Sequence, residues 1–195
     1  SYISCSFMEK ILKKFLKIKI YILIFGSINS LSLFAVNYEI IVDISEQRLS
    51  LIANDKLIES FPVSTSKYGE GEKENSFKTP LGMHEIKEKI GDDARINTIF
   101  VSRINTQKQS EIVTLRKDTE NDYVTSRILW LDGLEEGINK GPGVDSYDRY
   151  IYIHGTHEEG LIGEKASHGC IRMFNEDVIY LYDIVHKGTK VYIKA

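Results

Sequence analysis

One sulfur and one histidine carry the chemistry that this sequence can do. Cys170 stands within Ser167-His168-Gly169-Cys170-Ile171-Arg172-Met173, and His154 lies thirteen positions before Ser167. A thiol becomes a nucleophile when a neighbouring base takes its proton, and a histidine from a separate segment is the usual supplier. Such a pair performs acyl transfer through a thioester. His154 is the favoured base. His168, two residues before the sulfur, shares its face in an extended segment and reads as an orienter or substrate contact. Gly169 permits close backbone approach, so the Gly169 and Cys170 amides are candidate oxyanion donors. No Asp or Asn is placed as a third member, which leaves the Gly155 carbonyl to fix the imidazole tautomer. Arg172 either clamps a substrate carboxylate through its planar fork or ties the cysteine loop to a nearby acid. Ser167 either bonds substrate or stabilises the turn.

A metal reading competes for the same residues. His154, His157, His168 and Cys170 offer nitrogen and sulfur ligands. Structural zinc usually recruits Cys-x-x-Cys pairs, and the chain has none. No metal and no cofactor are assigned. His157 is expected in an exposed loop, and His84 and His186 as ordinary strand and helix-end histidines.

The elements that must position these groups are short strands. Tyr150-Ile151-Tyr152-Ile153-His154 alternates at period two, which sends Ile151 and Ile153 to the core and Tyr150, Tyr152 and His154 to the opposite face. His154 then ends the strand, pointing into open space, and Gly155 makes a sharp turn. Residues 38–44, 47–53, 56–63, 83–90, 97–103, 126–132 and 189–194 read as further strands, with Asn54-Asp55 as a hairpin turn. Residues 66–77 are charged and glycine-bearing, hence a loop. Residues 106–125 are polar without a period, and a loop of that length is usually functional or mobile. One helix is expected, with Asn175 as N-cap, Glu176 and Asp177 in its first turn, and Gly188 at its stop. Trp130 reads as core. The fold class is mainly β with one late helix.

His154-Gly155-Thr156 followed by Ser167-His168-Gly169-Cys170-Ile171-Arg172-Met173 resembles the L,D-transpeptidase family of YkuD-like catalytic domains. The match is similar to the envelope branch whose motif ends in Cys-Ile-Arg-Met. Phe61-Pro62-Val63-Ser64-Thr65-Ser66 and Thr79-Pro80-Leu81-Gly82 are also similar to family segments, and the resemblance spans roughly Tyr38 to Ile193. Two departures stand out: twelve residues between His154 and Ser167, short for the family, and Arg172 where many members carry asparagine. The resemblance implies a curved mixed sheet or barrel-like sandwich carrying the cleft. It also implies Cys170 as nucleophile, His154 as base, no cofactor, and peptidoglycan tetrapeptide stems as donors. An amine of a second stem, or a lipoprotein lysine, would resolve the acyl-enzyme. Water in that role would make an L,D-carboxypeptidase. A non-catalytic wall-binding module and a Cys–His endopeptidase are the rivals from other classes.

The first 35 residues are a different polymer. From Met8, the expected start, five lysines precede an uncharged stretch from Ile20 to Tyr38. A basic segment, an apolar segment and a small residue near Ala35 are the pattern of an export signal. A membrane anchor is the alternative, weakened by Ser27, Asn29, Ser30 and Ser32. Export to the periplasm or cell envelope is expected, with a catalytic domain over 36–195 and membrane contact only through the leading segment. Cys5 lies upstream of that start, which leaves Cys170 without a disulfide partner. Of 25 basic and 28 acidic residues, 20 and 27 fall after position 35, a net charge of −7. An acidic domain without a basic stripe excludes nucleic acid as a partner.

Overall fold

A computed structural model describes Val36–Ala195; the leading segment expected to be an export signal lies outside the described residues. Ten strands form one mixed sheet, joined by one α-helix. They are β1 (Tyr38–Asp43), β2 (Arg48–Ala53), β3 (Lys56–Pro62), β4 (Gly82–Ile90), β5 (Thr98–Val101), β6 (Ile104–Gln109), β7 (Val124–Gly133), β8 (Tyr152–Thr156), β9 (Ile171–Met173) and β10 (Lys190–Lys194). The helix α1 spans Asn175–Ile184.

Spatial order runs β3-β2-β1-β10-β4-β7, where the sheet branches. β7 carries β4 and then β5 along one edge, and β8 followed by β9 along the other. The switch falls at a bulge around Ser126, whose φ is +61°; such bulges bend a strand and re-aim its side chains. β1–β10 and β8–β9 are parallel and the remaining pairs antiparallel. Beyond β3 the chain turns back to β9: Ser64 exchanges both backbone hydrogen bonds with Arg172, each 2.9 Å. That bridge ties the two far ends of the sheet together and gives it its barrel-like curve.

Period-two alternation is why these segments are strands. Ile40 and Val42, Leu49 and Leu51, and Val191 and Ile193 each point inward and are almost fully buried. They pack with Ile153, Ile171, Met173 and the Val178, Leu181 and Tyr182 face of α1 into the main core. On the other face of β7 and β8, Phe100, Ile128, Trp130 and Tyr152 form a smaller cluster, against which Cys170 packs.

Several expectations shift. The polar stretch from Thr106 begins inside β6, an exposed strand with no apolar alternation to reveal it. β5 stops at Val101 because Ser102 and Arg103 turn with φ of +47° and +69°, the two-residue hairpin geometry. The helix ends at Ile184, short of Gly188, because Lys89 Nζ donates to the Tyr182 and Val185 carbonyls at 2.6 and 2.7 Å and so satisfies its last turn. Asn175 is not the cap. It is the first helical residue, and its buried side chain accepts from Thr125 and Ser126 hydroxyls (both 2.6 Å) and donates to the Thr156 carbonyl (2.7 Å). Gly155 makes no turn either: it sits within β8, where a Cβ would lie 2.6 Å from Asn175 Oδ1 and 2.8 Å from the Thr125 carbonyl.

Asn175 therefore clamps β7, β8 and α1 together directly beside the strand that carries His154. Asn175→Ala is expected to lower stability by ~3 kcal/mol, since each orphaned buried group costs about 1–3 kcal/mol. Urea denaturation checks this; a midpoint unchanged from wild type would contradict the clamp.

Candidate active site

The parallel pairing of β8 with β9 sets the geometry. Ile153 is opposite Ile171, His154 opposite Arg172, and Gly155 opposite Met173. Ile153, Ile171 and Met173 face the main core. Because side chains alternate, Tyr152, His154, Cys170 and Arg172 share the other face. Cys170 sits one pleat from His154 on the neighbouring strand, a backbone diagonal of about 7–8 Å that two side chains can bridge.

Cys170 stands where β9 begins and is half-buried. Its thiol donates to the Tyr150 carbonyl and its sulfur accepts from the Tyr152 amide, each at 3.4 Å. Burial pushes the thiol up to about 12, against the opposing pull of the Tyr152 amide and the Arg172 and Arg149 charges. His154 is the third residue of β8 and 2% exposed, so it neither ends the strand nor points into open space. Its Nδ1 lies 2.7 Å from the Gly155 carbonyl. A carbonyl only accepts, so Nδ1 carries the hydrogen and Nε2 presents a lone pair. Burial holds the imidazole down at about 4 despite the Asp122 carboxylate nearby. The resting pair is a neutral thiol beside a neutral base.

The loop carrying Cys170 is stitched to the segment after β3. The amides of Ala166 and Ser167 donate to the Thr65 carbonyl, each 2.9 Å, and the Lys67 amide donates to the Ser167 carbonyl at 3.0 Å. Thr79 Oγ1 donates to the Gly169 carbonyl at 3.0 Å. Gly169 has φ +122°, a conformation few other residues adopt. Its amide donates to Ser167 Oγ (3.2 Å), and that hydroxyl donates to the Cys170 carbonyl (2.6 Å). Ser167 is thus the turn-stabilising hydroxyl of the two readings. The Gly169 amide, expected as an oxyanion donor, is already engaged. The Cys170 amide has no acceptor among the described residues.

Arg172, expected as either clamp or tie, is a tie here. Its guanidinium is 1% exposed, lies 2.8 Å from Glu158 Oε2 and 2.7 Å from Asp122 Oδ1. His168 is exposed, 2.8 Å from Asp122 Oδ2 and edge-on to Phe77 at 6.1 Å. His157 is not an exposed loop residue: it is buried, stacks on Tyr123 at 4.8 Å and meets Thr119 Oγ1 at 2.9 Å. His84 is a buried strand residue bonded to Ser146 at 2.9 Å. No group of three or more His, Cys, Asp or Glu side chains able to hold a metal converges among the described residues.

Asp122, Glu158 and Arg149 escaped the sequence reading. Burial opposes the charge of Asp122, but the Arg172 guanidinium outweighs it and holds the carboxyl below its ordinary range. Arg149 donates to the Gly71, Glu72 and Lys78 carbonyls at 3.3, 2.7 and 2.6 Å, organising the charged loop after Ser66 around the site. That loop borders a cleft of about 160 Å³, lined by Glu74, Phe77, Asp148, Arg149, Tyr150 and His168.

The L,D-transpeptidase catalytic domain family (YkuD) matches residues 37–193. The chain belongs to this family. "Probable L,D-transpeptidase ErfK/SrfK" of Escherichia coli K12 is 27% identical over 161 residues, 79% of this chain and 43% of that protein. "Probable L,D-transpeptidase YbiS" of the same strain is 46% identical over 43 residues, 22% of this chain and 14% of that protein. The matched region thus spans less than half the length of these curated relatives. Among solved structures, an L,D-transpeptidase from Mycobacterium smegmatis covers 82% of this chain at TM-score 0.53 and 18% identity, with 59% of its own length matched. L,D-transpeptidase 3 from Mycobacterium tuberculosis, in complex with a faropenem-derived adduct, covers 82% of this chain at TM-score 0.52 and 15% identity, with 61% of its own length matched. At such identity the likeness is one of fold, here a mainly-β mixed sheet with one α-helix among the described residues.

A neutral resting thiol has a measurable signature. Alkylation of Cys170 by iodoacetamide is expected to accelerate about tenfold per unit between pH 7 and 9, tracking the thiolate fraction. A rate already level above neutrality would show a resident thiolate–imidazolium pair instead. Stability carries a second one. His84 and His154 are both held down at about 4 by burial, so below about pH 6.5 the unfolded chain binds protons that the folded chain refuses. Urea midpoints are therefore expected to fall steadily from pH 6.5 to 4. A midpoint constant over that window would contradict it.

Proposed function

We propose that this domain is an exported cysteine acyltransferase acting on the tetrapeptide stems of peptidoglycan. The observation that carries the reading is the shared face of His154 and Cys170, with the imidazole tautomer fixed by Gly155. The Cys170 thiol turns from the Tyr150 carbonyl toward His154 Nε2, which takes its proton as the sulfur attacks the carbonyl of the third stem residue. The C–N bond to the fourth residue breaks, His154 returns the proton to the departing amine, and D-alanine leaves. The Cys170 amide is the donor best placed for the oxyanion, and one such bond is typically worth ~3 kcal/mol. An amine then attacks the thioester and frees the thiol.

A side-chain amine of a second stem gives a 3→3 cross-link, a lipoprotein lysine gives attachment of that protein to the wall, and water gives an L,D-carboxypeptidase. The periplasm or cell envelope is the compartment that this substrate requires. An aligned histidine tautomer beside a reachable sulfur argues against a purely binding role.

Intact-mass spectrometry with a tetrapeptide donor tests the reading. A thioester adduct on Cys170 with release of D-alanine is expected, absent in Cys170→Ala, and slowed about 10²–10⁴-fold in His154→Ala, as for loss of a general base. Dimers among the products indicate transfer and tripeptide monomers hydrolysis. Wild-type protein forming no adduct and releasing no D-alanine defeats the proposal.

A further inference from the structure

Asp122 is an unexpected occupant of this site. It comes from the segment 110–123, which leads into β7, and its two oxygens engage two different donors. Oδ1 lies 2.7 Å from Arg172 Nη2 and Oδ2 lies 2.8 Å from His168 Nδ1. Those residues stand two positions either side of the nucleophile, so the carboxylate spans the sulfur's own strand. Its charge reaches both reacting groups, His154 and Cys170.

The Arg172 side is incompletely satisfied. Nη1 makes an aligned hydrogen bond to Glu158 Oε2 at 2.8 Å. Nε is buried and has no hydrogen-bond partner among the described residues, while Nη2 meets Asp122 Oδ1 as an imperfectly aligned ion pair at 2.7 Å. A buried guanidinium with one donor unmet is costly, and it marks a place that a better-aligned planar anion would fill. Asp122 itself has a side chain 37% exposed, and it holds the guanidinium from the solvent side.

We propose that Asp122 occupies the place of a substrate carboxylate, and that Arg172 and His168 receive the terminal carboxylate of the donor peptide once Asp122 swings outward. This rests on the acyl-transfer reading above. The exchange is charge-conserving, one carboxylate replacing another, so the buried cation is never left bare. Asp122 thereby sets specificity: a ligand lacking the carboxylate cannot take over the donors that its entry would orphan.

The experiment titrates N-acetyl-D-alanine and N-acetyl-D-alaninamide into wild type, Asp122→Asn, Asp122→Ser and Asp122→Glu. The His168 ring resonance, assigned with His168→Gln, reports binding by NMR. Asp122→Asn and Asp122→Ser are expected to bind the carboxylate probe about tenfold more tightly than wild type, the size of one charged hydrogen bond. Asp122→Glu is expected to restore weak binding, and the amide's affinity to stay the same throughout. Equal affinity of the carboxylate probe for wild type and Asp122→Asn overturns the proposal, as does an equal gain for the amide. With tetrapeptide donor, KM for acylation of Cys170 is expected to fall about fivefold in Asp122→Asn. The expected probe binding without any acylation keeps the proposal and removes the transpeptidase reading. Acylation with KM indifferent to Asp122 removes the proposal alone.

Discussion

The parallel ladder between β8 and β9 is the constraint from which the rest of the site follows. It is three residue pairs long, yet one of its faces holds Ile153, Ile171 and Met173, none of them measurably exposed. Each such side chain contributes about 1.5–3 kcal/mol through burial. A slip of one residue would turn all three to the opposite side. The aliphatic face therefore fixes the register, and the register places His154 and Cys170 on the reverse. The hydrophobic effect, which has no direction of its own, is converted by the pleat into a defined placement of an imidazole and a thiol on one face.

Around that pair the dominant force is desolvation. It drives the thiol up and the imidazole down, so a preformed ion pair is disfavoured even though Arg172 and Arg149 both pull the thiol the other way. Asp122 partly cancels those cations at the sulfur. A group that replaces or displaces Asp122, or that excludes water while presenting a polarised carbonyl, changes this balance at the moment of binding. A thiol held in its neutral form is also less open to oxidation than a thiolate.

The legible parts of the sequence were those in which one period governs. Ile151 and Ile153 were read as inward and are, because alternation along a half-buried strand leaves a direct trace. β6 left none, since Thr106 to Gln109 face solvent on an edge. Asn175 carried a capping signature, but three buried partners from β7 and β8 outbid the local preference. Asp122 and Glu158 had no local signal at all. Their roles exist only because the fold brings residues 122 and 158 to Arg172, and single-chain spacing holds no record of that meeting.

The same logic separates the two segments with the least regular structure. Residues 110–123 are pinned by the Val113 amide to the His157 carbonyl (2.8 Å), by Thr119 to Glu158 (2.5 Å) and by Lys67 to Asp118 (3.0 Å). The loop after Ser66 shares the Lys67–Asp118 pair, and it is pinned further along by Arg149 through the Gly71, Glu72 and Lys78 carbonyls. In the first case two of the pins are carboxylates in contact with charged or polar donors, which another anion can compete for. In the second they are backbone acceptors held by a half-buried cation, which no anion can displace without unmaking the loop. Movement is accordingly cheaper on the Asp122 side than on the Arg149 side.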